Sequence, residues 1–241
     1  AVAAFLDPVR ENVVLSPNIW WENRPLKHEL EQVLGVDVVI ENDANAAAIG
    51  EYFAGAGEQT GSMVMLTLGT GVGGGIVDHG QIRVGARGIA GELGHIIAQP
   101  GGPRCGCGQY GCLEALASAT AFVREIKAHT GNSALTTAEV ESELAAHPEL
   151  ARKLFGEAAA ALASSIVSLQ AVLDPDRVVL GGGLMDRAGE QLLGQVQKEL
   201  EHLTRDRRSD AFPDVRAATL GNQAGVIGAA LASRAGPSKA H

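Results

Sequence analysis

Between Met63 and His79 the chain reads Met-Val-Met-Leu-Thr-Leu, then Gly69-Thr-Gly-Val-Gly-Gly-Gly75, then Ile-Val-Asp-His, and no other stretch restricts the possible folds as much. The apolar run over 63–68, rich in branched residues, predicts a buried strand. Five glycines in seven positions then break it. Glycine that dense lets backbone N–H groups approach an anion with no Cβ in the way, which is how phosphate cradles are built. The alternative is a tight hairpin turn that binds nothing, for which a two-residue Asn-Gly is enough. Gly69, Gly71 and Gly74 match the spacing G-x-G-x-x-G. A dinucleotide site needs a helix directly after that turn. Here 75–80 and 81–84 read instead as two strands joined at Asp78-His-Gly80. No G-K-[ST] occurs, which excludes a Walker loop.

The 241 residues suit one large domain or two smaller ones. Hydrophobic content of 46% with only 4% aromatic predicts an aliphatic, alanine-rich core. The net charge of −9 argues against a nucleic-acid or membrane-surface role. The one basic knot, Arg205-Asp-Arg-Arg208, is surrounded by acids and reads as a solvated helix end. No apolar run looks long enough to span a bilayer. Ala1 to Leu6 reads as a strand ended by Asp7-Pro8, and the opening Ala leads us to expect further chain upstream.

Helical spacing runs from Leu26 to Leu34 and stops at Gly35. Val36 to Ile40 reads as a strand, followed by Glu41-Asn-Asp-Ala-Asn45 and a helix over 46–54. Asp43 is therefore expected at the carboxyl end of a strand and the amino end of a helix, where ligands collect in α/β sheets. Helix N–H groups there favour an ionised carboxylate able to accept a proton. An ordinary N-cap is the competing reading. Asn42, Asp43 and Asn45 cluster where one cap needs only one side chain.

Farther along come Gly91-Glu-Leu-Gly-His95 and Cys105-Gly-Cys-Gly-Gln-Tyr-Gly-Cys112. Three cysteines cannot all pair, so a disulfide framework is not expected. With one imidazole they complete a tetrahedral zinc shell, for which His95 is the first candidate and His79 the second. The alternative is three unrelated reduced cysteines. Glu92 and Glu114 flank the cluster, either as solvated acids or as rigid acceptors for hydroxyl groups. A helix is expected over 114–130, a capping box at Thr136-Thr-Ala-Glu139, and a long helix over 149–173. Arg177 to Leu180 reads as a strand whose terminal loop, Gly181-Gly-Gly183, leads into a helix. That loop either faces a nucleotide or permits close strand–helix packing. A strand over 215–220 and a helix over 224–235 close the chain.

Four of these pieces occur together in order: Glu41-Asn-Asp-Ala-Asn-Ala46, Leu68-Gly-Thr-Gly-Val-Gly-Gly-Gly75, Gly91-Glu-Leu-Gly-His95 and Cys105-Gly-Cys-Gly-x-x-Gly-Cys-x-Glu114. Taken jointly, the chain resembles the ROK family of sugar kinases and sugar-responsive repressors, most of all its bacterial glucokinases. The resemblance implies an α/β, actin-like (ribonuclease-H-like) fold of two domains with a zinc knuckle. Residues 1–47, with 226–241 packing back on them, would be an incomplete small domain, and 48–225 the large one. It implies ATP-dependent phosphorylation of a hexose, glucose foremost, with Asp43 as general base. Asn18, Asn42, Glu92, His95 and Glu114 would hold sugar hydroxyls. His95, Cys105, Cys107 and Cys112 would bind structural Zn²⁺. Gly69, Thr70, Gly71 and Gly73 would meet the phosphates of Mg²⁺-ATP, and Gly181, Gly182 and Gly183 would lie at the adenosine end. A cytoplasmic homodimer or tetramer, binding neither nucleic acid nor membrane through this chain, is the corresponding expectation. The family's first phosphate loop, D-x-G-G-T, has no match in the chain. Leu113 also stands where many glucokinases carry an aromatic residue, and 115–120 is smaller than usual. Two other functions remain open at this stage: the effector domain of a sugar-responsive repressor, and a non-catalytic fragment.

Overall fold

A computed structural model describes residues 1–16, 19–206 and 212–235. Its strands are β1 (Phe5–Leu6), β2 (Val13–Ser16), β3 (Trp21–Arg24), β4 (Ser62–Leu68), β5 (Val72–Asp78), β6 (Gln81–Ile82), β7 (Arg177–Gly181) and β8 (Asp214–Ala217). Its helices are α1 (Leu26–Leu34), α2 (Asp43–Ala54), α3 (Glu114–Ala117), α4 (Ala119–Thr130), α5 (Val140–Ala146), α6 (Pro148–Leu173), α7 (Gly183–Thr204) and α8 (Ala224–Leu231). One sheet has the order β1-β2-β3, the other β6-β5-β4-β7-β8. The chain divides into two compact units: Ala1–Met65, Gly74–Glu92 and Ala218–His241 form the first, Leu66–Gly73 and Leu93–Ala217 the second.

In the first unit, β1, β2 and β3 pair antiparallel. Asp7 ties the β1–β2 connection: its carboxylate accepts from the Glu11 N–H at 2.8 Å and from Asn12 Nδ2 at 2.6 Å. Burial works to raise the Asp7 pKa, but these bonds outweigh it and hold the carboxyl below its ordinary value. Ala4, Leu6, Val13, Leu26 and Ile40 make a small core beneath. The helix read from Leu26 to Leu34 forms with those limits and ends on Gly35 in the left-handed region. The strands expected over 1–6 and 36–40 do not form as such. The first is reduced to β1 and a bridge at Val2, and that bridge joins Val2 to Asn42, beyond the second. Val36 and Val39 are exposed, and without a partner strand alternation does not make a strand.

Two long-range features fix α2. Glu51 is fully buried, and its carboxylate accepts from the backbone N–H groups of Ala56 at 2.8 Å, Thr219 at 3.0 Å and Leu220 at 2.8 Å. This joins α2 to the segment that enters α8. The two helices then cross at Gly50 and Gly228, so closely that a Cβ on Gly228 would lie 2.5 Å from the Ala46 carbonyl carbon.

In the second unit, α6 is the central helix. Leu154, Phe155, Ala158, Leu162 and Ile166 are buried along it, and Phe155 meets Phe122 of α4 edge to face at 5.5 Å. By length and composition α6 is apolar enough to cross a membrane, against our reading that no such run exists; half of its apolar window is buried inside the protein. Alanine-rich α6 packs on α7 and α3, so its apolarity serves the core. The single helix expected over 114–130 is two, because Ser118 adopts an extended backbone and caps α4 through the Ala121 N–H at 3.0 Å. β7 and β8 pair parallel. β8 ends at Ala217 rather than Leu220, and α8 ends at Leu231 rather than Ala235.

Candidate active site

In the first unit the Asn42-Asp43 turn is held by backbone N–H groups together with the Asn42 and Asn45 side-chain amides. Asn42, not Asp43, is the N-cap of α2: its Oδ1 accepts from Ala44 N at 2.9 Å and Asn45 N at 3.1 Å. α2 thus begins three residues earlier than the expected Ala46, with Asp43 as its first residue. The Asp43 side chain is exposed and, among the described residues, bonds only the adjacent Ala44 N–H, at 3.0 Å. Capping falls to Asn42, so the Asp43 carboxylate is left facing outward at the helix start. Asn42 and Asn45 share a cavity of about 20 Å³ with Glu92, Gly74, Gly91, Arg10 and Glu41. Gly91, at φ 94, and Gly75 leave room for the Asn45 amide that a Cβ would take. Of the proposed sugar ligands, Asn42 and Glu92 are therefore neighbours. Asn18 lies outside the described residues.

The second unit holds the glycine turn. β5 already begins at Val72, so the turn proper is Gly69-Thr70-Gly71, and Gly73, Gly74 and Gly75 lie within the strand. The start of α4 clamps it: Ala119 N donates to Gly69 O at 2.8 Å, Thr120 N to Thr70 O at 3.2 Å and Thr120 Oγ1 to Thr70 O at 2.7 Å. Gly69 and Thr70 open onto a cavity of about 900 Å³, which Thr137, Glu141, Gly183 and Asp186 also line. The volume is that of a nucleotide-sized cleft. The second glycine loop divides the two roles left open for it. Gly182, at φ 92, packs so closely that a Cβ would lie 2.6 Å from the Leu68 carbonyl oxygen, whereas Gly183 has open space around it and faces the cavity. Gly181 ends β7, buried.

The cysteine cluster is also in the second unit. Ligand atoms of His95, Cys105, Cys107 and Cys112 all lie within 4.8 Å of one another. Cys107 Sγ is 3.7 Å from Cys112 Sγ, and Cys105 Sγ is 3.7 Å from His95 Nδ1. Thiolates about 2.3 Å from a tetrahedral zinc sit roughly 3.8 Å apart, so the donor set fits that ion. His79, the other candidate, is exposed at the β5–β6 hairpin and takes no part. Without metal, burial pushes the Cys105 thiol up to about 12 and raises Cys112, while a backbone hydrogen bond from Gln109 lowers Cys107. Glu114 joins the cluster to the glycine turn: Oε1 accepts from the Cys105 thiol at 3.5 Å and Oε2 from the Val72 N–H at 3.1 Å. A Cβ on Gly71 would strike that carboxylate.

Nothing in the sequence marks the clamp from Thr120 or the cavity residues Glu141 of α5 and Asp186 of α7. Those contacts come from distant segments, and no local motif marks them. Ser118 was the one usable signal, as a cap residue inside an otherwise helical run.

Residues 1–235 match the ROK family. A glucokinase of Halalkalibacterium halodurans is 41% identical over 225 residues, covering 88% of this chain and 68% of the relative. The crystal structure of a ROK family glucokinase from Streptomyces griseus in complex with glucose and AMPPNP superposes with a TM-score of 0.80 at 38% identity, over 95% of this chain and 78% of that one. A ROK family transcriptional regulator, homologue of the E. coli MLC protein, also superposes at 0.80, with 25% identity over 96% of this chain and 60% of its own. With the family match over nearly the whole chain and this identity to a curated relative, the chain belongs to the ROK family.

Proposed function

We propose that this chain transfers the γ-phosphoryl group of Mg²⁺-ATP to a hexose hydroxyl, glucose foremost. The observation that carries the reading is Asp43, a carboxylate at the first position of α2 that capping does not use. Asp43 accepts the proton of the attacking hydroxyl as that oxygen bonds to phosphorus. Asn42, Glu92, His95, Glu114 and Asn18 hold the remaining hydroxyls. Gly69, Thr70, Gly71 and Gly73 receive the phosphates, and Gly183 flanks the adenosine in the large cavity, with Gly181 and Gly182 packed behind it. Phosphoryl transfer asks mainly for positioning and charge neutralisation, which a clamped turn and an oriented carboxylate supply. A structural zinc held by His95, Cys105, Cys107 and Cys112 would fix the backbone just after Glu92 and just before Glu114.

The second reading, a sugar-sensing effector domain, is favoured by the superposition on a ROK regulator. A sensor has no use for a proton acceptor at Asp43, which is why the kinase is preferred. Sugar-dependent ADP release from Mg²⁺-ATP across glucose, mannose, fructose and N-acetylmannosamine tests it. Turnover with at least one hexose is the expected result. Saturable sugar binding without turnover would replace the kinase with the sensor.

A further inference from the structure

The first unit contains a pair of buried charges to which the proposed reaction gives no role. Arg10 is only 6% exposed and Glu41 only 2%. Arg10 sits at φ 58, in the left-handed region that residues with a Cβ avoid, within the turn that Asp7 ties. Its Nη1 is 2.9 Å from Glu41 Oε2. That approach is not aligned as a hydrogen bond, and Arg10 Nε and Nη2 have no hydrogen-bond partner among the described residues. A strained backbone and two incompletely compensated buried charges make a poor stabilising device, since an apolar pair of equal volume usually does as well or better.

The other carboxylate oxygen shows what the pair holds. Glu41 Oε1 accepts from the Asn42 N–H at 2.9 Å and from Asn45 Nδ2 at 3.0 Å. Asn42 in turn caps α2, and Asp43 follows it directly. Arg10, Glu41, Asn42, Asn45 and Glu92 all line the one small cavity.

We propose that Arg10 is a positioning residue for the Asn42-Asp43 turn and acts through Glu41. Its charge keeps the Glu41 carboxylate inside the protein, where Oε1 sets the Asn42 backbone and the Asn45 amide. Without that cation the carboxylate turns towards water or loses its charge, and both bonds weaken. Because the attraction is not a directed hydrogen bond, another cation of similar reach replaces it in part. The catalytic consequence rests on the kinase reading of Asp43; the geometric one does not.

The test uses the full chain and two independent readouts, amide hydrogen exchange and steady-state kinetics. Arg10→Met should raise exchange at Asn42, Ala44 and Asn45 at least tenfold, with the rest of α2 and α8 unchanged. It should lower kcat at least tenfold and leave the KM for ATP within twofold. Arg10→Lys should recover most of both. Arg10→Met combined with Glu41→Gln removes both charges yet keeps an acceptor oxygen at position 41, and it should turn over faster than Arg10→Met alone. Exchange that rises uniformly through α2 and α8 would overturn the proposal in favour of general loosening. Unchanged exchange at 42–45, or a double variant no better than the single, would also overturn it. A wild-type chain without turnover would refute the kinase reading, and the exchange pattern would still decide whether Arg10 positions the turn.

Discussion

The crossing of α2 and α8 permits a prediction whose sign is decided by the structure. In Gly228→Ala the new Cβ would lie 2.5 Å from the Ala46 carbonyl carbon and 2.8 Å from Gly50 N. Both neighbours are helix backbone, so no side chain can swing away. The Cβ would also strike the Ala46 carbonyl oxygen directly, so reaching ordinary contact, about 3.4 Å, requires the helices to part by well over 1 Å. Overpacking of this kind costs about 1–3 kcal/mol, and rigid backbone on both sides puts the cost near the upper end. Replacing helical glycine by alanine returns about 1 kcal/mol. The net expectation is a loss of about 2 kcal/mol, read by urea denaturation with an unchanged m-value. Gly225→Ala is the control. It lies on the same helix with nothing within 4 Å of its added Cβ, and should be neutral or gain about 1 kcal/mol. Because α2 begins at Asp43, a shift of this size should also lower kcat by at least about 100-fold. Gly228→Ala as stable as Gly225→Ala would refute the close crossing and every inference that uses it.

Three further expectations follow from single sites. Purified chain should contain one zinc per molecule, and Cys112→Ser should lose it, as metal analysis by plasma emission would read; a full complement in the variant would remove Cys112 from the ligand set. Gly71→Ala should displace the Glu114 carboxylate from the Val72 N–H and raise the KM for ATP about tenfold or more, and an unchanged KM would separate this turn from the nucleotide. Asp7, whose pKa is depressed in the folded state, stabilises fully above its unfolded value of 3.8, and that contribution is lost as pH falls through the lower folded value. The stability difference between wild type and Asp7→Asn should therefore shrink on acidification below about pH 3.8; a difference that grows there would contradict the assignment.

What was legible in the sequence was local. α1 carries its spacing and its Gly35 stop within ten residues or so. The candidate metal ligands Cys105, Cys107 and Cys112 fall within eight residues, so chain geometry nearly forces their sulfurs together. What was not legible depended on partners distant in sequence. Val36 to Ile40 has the composition of a strand, but only Val2 reaches its end. The break at Ser118 was hidden because the alanine-rich sequence favours helix on both sides, and a single cap side chain decided the matter. The identity of the α2 cap, Asn42 rather than Asp43, turns on one residue of register, yet it determines whether Asp43 is available for chemistry. The Arg10–Glu41 pair carries no sequence signal at all, because neither residue type at its position announces burial.

Asp43→Asn tests the central claim most directly, with sugar binding and turnover measured on the same preparation. Asparagine preserves the size and the helix start but cannot accept the proton. Loss of a general base lowers kcat by about 10²–10⁴-fold. The account predicts a fall in that range with glucose affinity changed by no more than a few-fold. Turnover within threefold of wild type would show that Asp43 is not the base, and the reaction would have to be rebuilt around another residue.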